Sequence, residues 1–193
     1  MRYLFLARFV LFNFAAAAGL AVSVYQGYWR GVVPEGDEGL LVWIVAGIVA
    51  AGLWFSCHRA WWLARLFDDR DRAREALYGG CDAIDRPGTA LRGAEAKLTA
   101  RIAVVRWYAS AAVLCGLIGT VIGFMIALSG VDPERIGDVT TATGMVATLI
   151  RGLGVALGTT LVGSLGGLWL IVNYAMLAGA AARLFTAEAR RFQ

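Results

Sequence analysis

The sequence predicts an all-α, polytopic membrane protein with four transmembrane helices. Hydrophobic residues make up 59% of the 193 residues, and the mean hydropathy of +0.65 is far above the range of soluble domains. Four apolar stretches are long enough to cross roughly 30 Å of hydrocarbon, which takes about 20 helical residues. These stretches are Phe9–Tyr25, Leu40–Leu63, Trp107–Leu128 and Ala142–Ala182.

The first apolar stretch has two interpretations. Arg2 and Arg8 precede it, which is also the pattern of a cleaved signal peptide. However, the apolar run continues to Tyr25 and ends in "YQGYW", an aromatic cluster typical of a membrane interface. We therefore expect the first helix to be retained, with the signal peptide as the alternative.

The positive charges predict the topology. Of the 18 Lys and Arg residues, 10 lie between Arg59 and Arg106, two in the N-terminus and three in the tail. The positive-inside rule then places both termini and the central loop in the cytoplasm. The predicted units are 1–66 with two spans and a short periplasmic connection, the cytoplasmic loop 67–106, the spans of 107–182 and the tail 183–193.

The second and third helices are predicted to continue into the central loop. This loop is rich in Ala and Arg and has breaks at Gly79–Gly80 and Pro87–Gly88, so it is interpreted as two short helices that extend the spans on either side. The fourth apolar segment is about 40 residues long, or roughly 60 Å of helix, about twice the bilayer requirement. Part of this helix must therefore project from the membrane, and we expect the long third and fourth helices to extend into the cytoplasm.

Acidic residues are absent from all four predicted spans. An intramembrane carboxylate is the usual carrier in proton and cation pathways. If the protein conducts ions, the carboxylate must therefore come from a partner.

The third and fourth spans carry small residues at intervals of three and four, which places them on one face of each helix. Such faces let helix backbones approach closely in a membrane, so packing is the simplest interpretation. Hydroxyl groups on the same helices offer a second one, because a hydroxyl facing a lumen can coordinate an ion. The candidate packing and pore-face residues are Gly116, Gly119, Gly123, Gly152, Ala156, Gly163 and Gly167, and the candidate ion-pathway hydroxyls are Thr120, Thr159, Thr160 and Ser164.

Other chemistries have little support in the sequence. Cys57, Cys81 and Cys115 are far apart and lack CxxC spacing, which argues against a disulfide framework or metal site. The single histidine, His58, is remote in sequence from Ser164, and no HExxH or GxSxG motif occurs. We expect neither an enzyme nor a cofactor, and no nucleic-acid binding, because topology accounts for the positive excess.

The segment "GLIGTVIGF" and, after a short loop, "GVALGTTLVGSLGGLWLIVNY" together resemble the MotA/TolQ/ExbB proton-channel family. Members are the larger subunits of ion-driven motors in bacterial inner membranes. The resemblance covers Val113–Tyr174, about a third of the chain. It implies a homopentamer, embedded in membrane lipid, around the single transmembrane helices of two copies of an ExbD/TolR/MotB-like partner.

In that family the partner's membrane Asp carries the proton or sodium ion, and the third and fourth helices line the pore. The family's pore-facing threonines fall on Thr120 and Thr160. Two positions depart from the family pattern, because Val113 replaces a usual proline and Val155 replaces an acidic residue of the TolQ/ExbB branch. Four spans favour the MotA-like layout, whereas the small loop argues against a flagellar role.

Arg151 is the one charged residue inside the fourth predicted span, about 13 Å along the helix from Thr160. In one interpretation its side chain reaches the membrane interface or pairs with Asp132, Glu134 or Asp138. In the other it forms an electropositive ring at the pore entrance, which contacts ions or the partner. A different class of function is a non-conducting oligomeric membrane scaffold, in which the glycine faces only hold subunits together.

Overall fold

The protein is a bundle of four long helices. A computed structural model describes residues 2–26, 39–68, 87–131 and 139–189. The helices are α1 (Arg2–Tyr25), α2 (Leu40–Asp68), α3 (Pro87–Ser129) and α4 (Val139–Ala189). Within these ranges the regular structure is helical, and each helix contains a segment long and apolar enough to cross a membrane. The predicted all-α class with four transmembrane helices is confirmed.

Helices α3 and α4 are much longer than a bilayer requires. They contain 43 and 51 residues, so at 1.5 Å per residue they measure about 65 and 75 Å. Helix α3 begins at Pro87, which suits a first helical turn because proline lacks the N–H that would have no partner there. The second part of the predicted loop is thus continuous with the third span, whereas Gly79–Gly80 and Cys81 lie outside the described residues.

The helices run alternately up and down. Phe9 near the start of α1, Leu63 near the end of α2, Ile102 in the first half of α3 and Leu177 near the end of α4 pack in one buried cluster. The start of α1 and the end of α4 therefore lie at the same end of the bundle. The described arginines near this cluster, which we call the basic end, are Arg8, Arg59, Arg65, Arg101, Arg106 and Arg183.

The contact between α3 and α4 is the most extensive in the bundle. A Cβ atom built on Gly123 would lie 2.5 Å from Ala156 N and 2.7 Å from the Gly152 carbonyl oxygen. A Cβ on Gly163 would lie 2.7 Å from the Ala112 carbonyl oxygen and 3.0 Å from the Gly116 Cα atom. Backbone therefore meets backbone, which leaves no room for even a methyl group at these positions.

All the small residues singled out in the sequence lie along this contact. Ala156 is buried, and a Cβ on Gly116 would meet Thr159 O and Gly163 Cα at 3.0 and 3.3 Å. The same test on Gly167 meets the Val113 side chain at 2.6 Å. The glycine faces of α3 and α4 thus pack against each other within one chain.

Helix α2 packs on both long helices, whereas α1 is peripheral. Only 6% of the apolar window of α1 is buried, against 44% for α4. The apolar side chains on the outer surface of α1 include Val10, Leu11, Phe14, Leu20 and Val22. Since α1 buries so little surface, its position depends on a few specific contacts.

One such contact is a hydrogen-bonded amide pair. The two asparagines of the chain, Asn13 on α1 and Asn173 on α4, bond to each other through Asn13 Nδ2 to Asn173 Oδ1 at 2.8 Å and Asn173 Nδ2 to Asn13 Oδ1 at 3.2 Å. Trp169 Nε1 also donates to Asn13 Oδ1 at 3.0 Å. Asn173 is fully buried. Polar side chains in apolar surroundings need such partners, so the pair fastens α1 to α4.

The backbone contact predicts that Gly123→Ala destabilises the protein. The new methyl group would force α3 and α4 apart, which we expect to cost about 1–3 kcal/mol despite the higher helix propensity of alanine. Gly144→Ala is the matched control, because nothing lies within 4 Å of its added Cβ. Thermal unfolding in detergent should show a lower midpoint for Gly123→Ala and an equal or higher one for Gly144→Ala. Equal midpoints for both variants would contradict the packing described.

The amide pair predicts energetic coupling between Asn13 and Asn173. In a double-mutant cycle with Asn13→Ala and Asn173→Ala, we expect a coupling of about 1 kcal/mol, in the upper part of the range for membrane hydrogen bonds. The free energies of unfolding from chemical denaturation of the four proteins provide the measurement. A cycle of Phe14→Ala with Asn173→Ala is the control, since Phe14 is 73% exposed. If the two asparagine substitutions changed the free energy of unfolding additively, the amide pair would not hold α1 against α4.

Candidate functional site

Two hydroxyl groups meet at the edge of the α3–α4 contact. The Oγ1 atoms of Thr120 and Thr160 are in hydrogen-bond contact although the residues are 40 positions apart. Both also reach the Gly116 carbonyl oxygen, Thr120 Oγ1 at 3.1 Å and Thr160 Oγ1 at 3.4 Å. This carbonyl is accessible to Thr160 because Gly116 has no side chain. We call Thr120, Thr160 and the Gly116 carbonyl the threonine seam.

The threonine seam borders an open surface. Thr160 is exposed and Thr120 is half-buried. Helices α3 and α4 are antiparallel and pack through their glycine faces. The residues that lie next to the glycine face on the side of Thr120 in α3, and on the side of Thr160 in α4, are therefore on the same side of the helix pair. These side chains are apolar and exposed: Val113, Leu117, Val121, Phe124 and Leu128 on α3, and Leu153, Leu157, Leu161, Leu168 and Ile171 on α4. We call this surface the seam face.

Ser164 lies on the seam face, one turn after Thr160. Its side chain is exposed, and its hydroxyl donates to the Leu161 carbonyl oxygen at 3.2 Å. A hydroxyl bonded to its own helix keeps its lone pairs available to an ion or water. Ser164 therefore extends the line of exposed hydroxyls along α4.

Thr159 lies elsewhere, in the interior of the α3–α4 contact. It is 0% exposed, and its hydroxyl donates to Val155 O and Ala156 O at 2.9 and 3.1 Å. A Cβ on Gly119 would lie 2.5 Å from the Thr159 side chain, so glycine leaves the space that this threonine fills. In the single chain Thr159 faces α3, and only Thr120, Thr160 and Ser164 of the four predicted hydroxyls reach the seam face.

Arg151 is exposed on the part of α4 away from the basic end. Nine residues are two and a half helical turns, which places Arg151 on the opposite side of α4 from Thr160. The three acids suggested as its partners, Asp132, Glu134 and Asp138, lie outside the described residues. Helical geometry thus separates Arg151 from the seam face.

The seam face offers only uncharged oxygen ligands to a cation or a proton. It offers hydroxyl and carbonyl oxygens in an apolar surround, but the four helical segments that are long and apolar enough to cross a membrane contain no Asp or Glu. Hydroxyl groups both donate and accept hydrogen bonds, so they can solvate a passing cation or proton. They do not hold a proton themselves at ordinary pH, and a carrier group must be added.

Comparison with protein families gives one match. The model of the MotA/TolQ/ExbB proton channel family matches residues 86–188, just over half of the chain. The chain belongs to this family. A search of curated proteins and a search of solved structures each found no match. The resemblance noted in the sequence is confirmed at the level of the family, and the match extends over nearly all of α3 and α4.

Family membership and the four apolar helices together make the chain a multi-pass membrane protein of a proton channel family. The matched region includes the whole threonine seam, whereas α1 and α2 lie before it. Sequence reasoning singled out Thr120 and Thr160 from small-residue spacing, hydroxyl clustering and the family resemblance, but it did not predict their contact with each other or with the Gly116 carbonyl. It missed Asn13 and Asn173, although two asparagines inside apolar spans are a signal that could have been used.

Proposed function

We propose that this chain is the channel-forming subunit of a motor driven by proton or sodium flow across a bacterial inner membrane. Five copies would surround the transmembrane helices of two copies of an ExbD/TolR/MotB-like partner, with the seam face of each copy lining the central pore. Both termini and the 67–106 region would lie in the cytoplasm, into which α3 and α4 extend.

The observation that carries this proposal is the threonine seam in a proton channel family. Side chains facing lipid are almost always apolar because an exposed polar group is costly there. Thr160 and Ser164 are polar and exposed in the single chain, so a wet or polar neighbour is expected on that face. A pore supplies such a neighbour.

The distribution of charged residues indicates which subunit would carry the ion. The described spans supply oxygen ligands but no carboxylate. A partner helix with a membrane Asp would load and release the ion, while Thr120 and Thr160 solvate it in passing. The apolar side chains of the seam face would offer a smooth wall against which the guest helix turns or slides.

The positive charge at the basic end supports the proposed orientation. Arginine is strongly enriched on the cytoplasmic side of membrane proteins, and the described arginines other than Arg92 and Arg151 lie near this end. Arg151 is not assigned to the pore, because it lies on the other side of α4 from Thr160.

Removal of one hydroxyl tests the proposal. Thr160→Val keeps the shape of the side chain but removes an oxygen ligand from a desolvated ion, so we expect proton or sodium flux to fall by about tenfold or more. The measurement is dye-reported flux in liposomes that contain the chain with its co-purified single-span partner. Proton and sodium gradients are imposed separately, and this comparison identifies the ion.

Thr186→Val is the matched control, because Thr186 is exposed on the distal part of α4 and its hydroxyl bonds to its own helix. It should leave flux unchanged, and both variants should assemble like the wild type by size-exclusion chromatography. Wild-type flux in Thr160→Val would refute the pore assignment. A homo-oligomer that is complete without any single-span partner would favour the non-conducting scaffold.

A further inference from the structure

Arginine and tryptophan side chains stack on each other at the basic end of α2. The Arg65 guanidinium carbon lies 5.3 Å from the centre of the Trp61 ring. Arg101 of α3 crosses to α2 and lies 4.9 Å from the centre of the Trp62 ring. We call these four residues the arginine–tryptophan cluster.

The arginine–tryptophan cluster is open and carries two positive charges. Both of its arginines are exposed, and Trp61 is 61% exposed. Residues 54–65 and 96–107 contain no Asp or Glu, and the nearest acidic residues along the two helices are Asp68 and Glu95. A guanidinium that stacks on an indole still directs its N–H groups outward in its own plane. The stacking is therefore compatible with an oxygen anion at the edge of either guanidinium group.

A neighbouring donor also lacks an acceptor. Arg59 lies on α2 beside the cluster, and its Nε atom is buried without a hydrogen-bond partner. Buried donors of this kind are rare in folded proteins because each costs free energy. Because this atom is buried, an anion at the exposed cluster does not contact it, and Arg59 is not part of the proposed site.

An apolar surface continues from the cluster toward the middle of the membrane segment. Trp54 and Phe55, one to two turns earlier on α2, are 74% and 38% exposed. They lie within the apolar span Leu40–Arg65. A ligand that meets both surfaces must have an anionic head and an apolar tail.

We propose that the arginine–tryptophan cluster binds the phosphate headgroup of an anionic phospholipid, with the acyl chains along Trp54 and Phe55. The stacked arginines donate to the phosphate oxygens in charge-assisted hydrogen bonds. Tryptophan suits this depth because its ring is amphipathic. The site is separate from the threonine seam and does not depend on ion conduction.

Fluorescence quenching tests the site. The full-length chain is reconstituted in phosphatidylcholine vesicles that contain a minor fraction of either brominated phosphatidylglycerol or brominated phosphatidylcholine. Bromine quenches nearby tryptophans, and Trp61 and Trp62 lie at the proposed site. We expect phosphatidylglycerol to quench more strongly, corresponding to about a thirtyfold preference from two arginines.

Three variants define the origin of that preference. Arg65→Gln with Arg101→Gln should abolish it, whereas Arg8→Gln with Arg106→Gln removes the same charge from the basic end and should retain it. Arg65→Lys with Arg101→Lys keeps the charge but loses the planar donor set, so most of the preference should disappear. This lysine variant serves as the test if the glutamine variant does not fold by circular dichroism.

An unchanged preference in the lysine or glutamine cluster variants would overturn the proposal. Equal loss in the Arg8/Arg106 control would also overturn it, because general surface charge would then explain the effect. If inorganic phosphate added to the vesicles removes the extra quenching, the ligand is free phosphate and the lipid assignment is wrong.

Discussion

The close contact between the backbones of α3 and α4 is the constraint on which the rest of the structure depends. Lipid tails are as apolar as leucine, so membrane helices gain little from burying apolar side chains against each other. They gain instead from fitting closely, and glycine permits the closest approach. At Gly123 and Gly163 the facing backbone atoms would lie only 2.5–2.7 Å from an added Cβ. The two helices therefore act as one rigid wall.

This close contact also determines where the hydroxyl groups lie. Thr159 fills the space that Gly119 leaves open, whereas Thr160, one residue later, stands at the edge and reaches Thr120. The Gly116 carbonyl becomes a shared acceptor because no side chain covers it. A larger residue at Gly116 or Gly119 would separate the helices and break the threonine seam. Packing and the proposed ion path are thus two consequences of the same glycines.

Much of this arrangement could be predicted from the sequence because it follows from local patterns. Apolar length gave the four helices, and spacing of three and four gave the small-residue faces. The family resemblance indicated Thr160, but residue spacing alone did not distinguish it from Thr159, since that depends on which face of α4 meets α3. The pairing of Asn13 with Asn173 joins residues 160 positions apart, and helical periodicity carries no information on such long-range contacts. For Arg151 the sequence analysis used only the distance from Thr160 along the axis, whereas the same nine-residue spacing also directs it away from Thr160 around the axis.

The central claim is that the seam face lines an aqueous path in the assembled protein, and thiol accessibility tests it most directly. In a background with Cys57, Cys81 and Cys115 replaced by alanine, Thr160→Cys and Leu165→Cys are compared in intact membranes. Leu165 is also exposed on α4 but lies well around the helix from Thr160. A charged, membrane-impermeant thiol reagent should modify the cysteine at position 160 much faster than the one at 165, because thiols ionise only in contact with water. Equally slow modification at both positions would contradict the account.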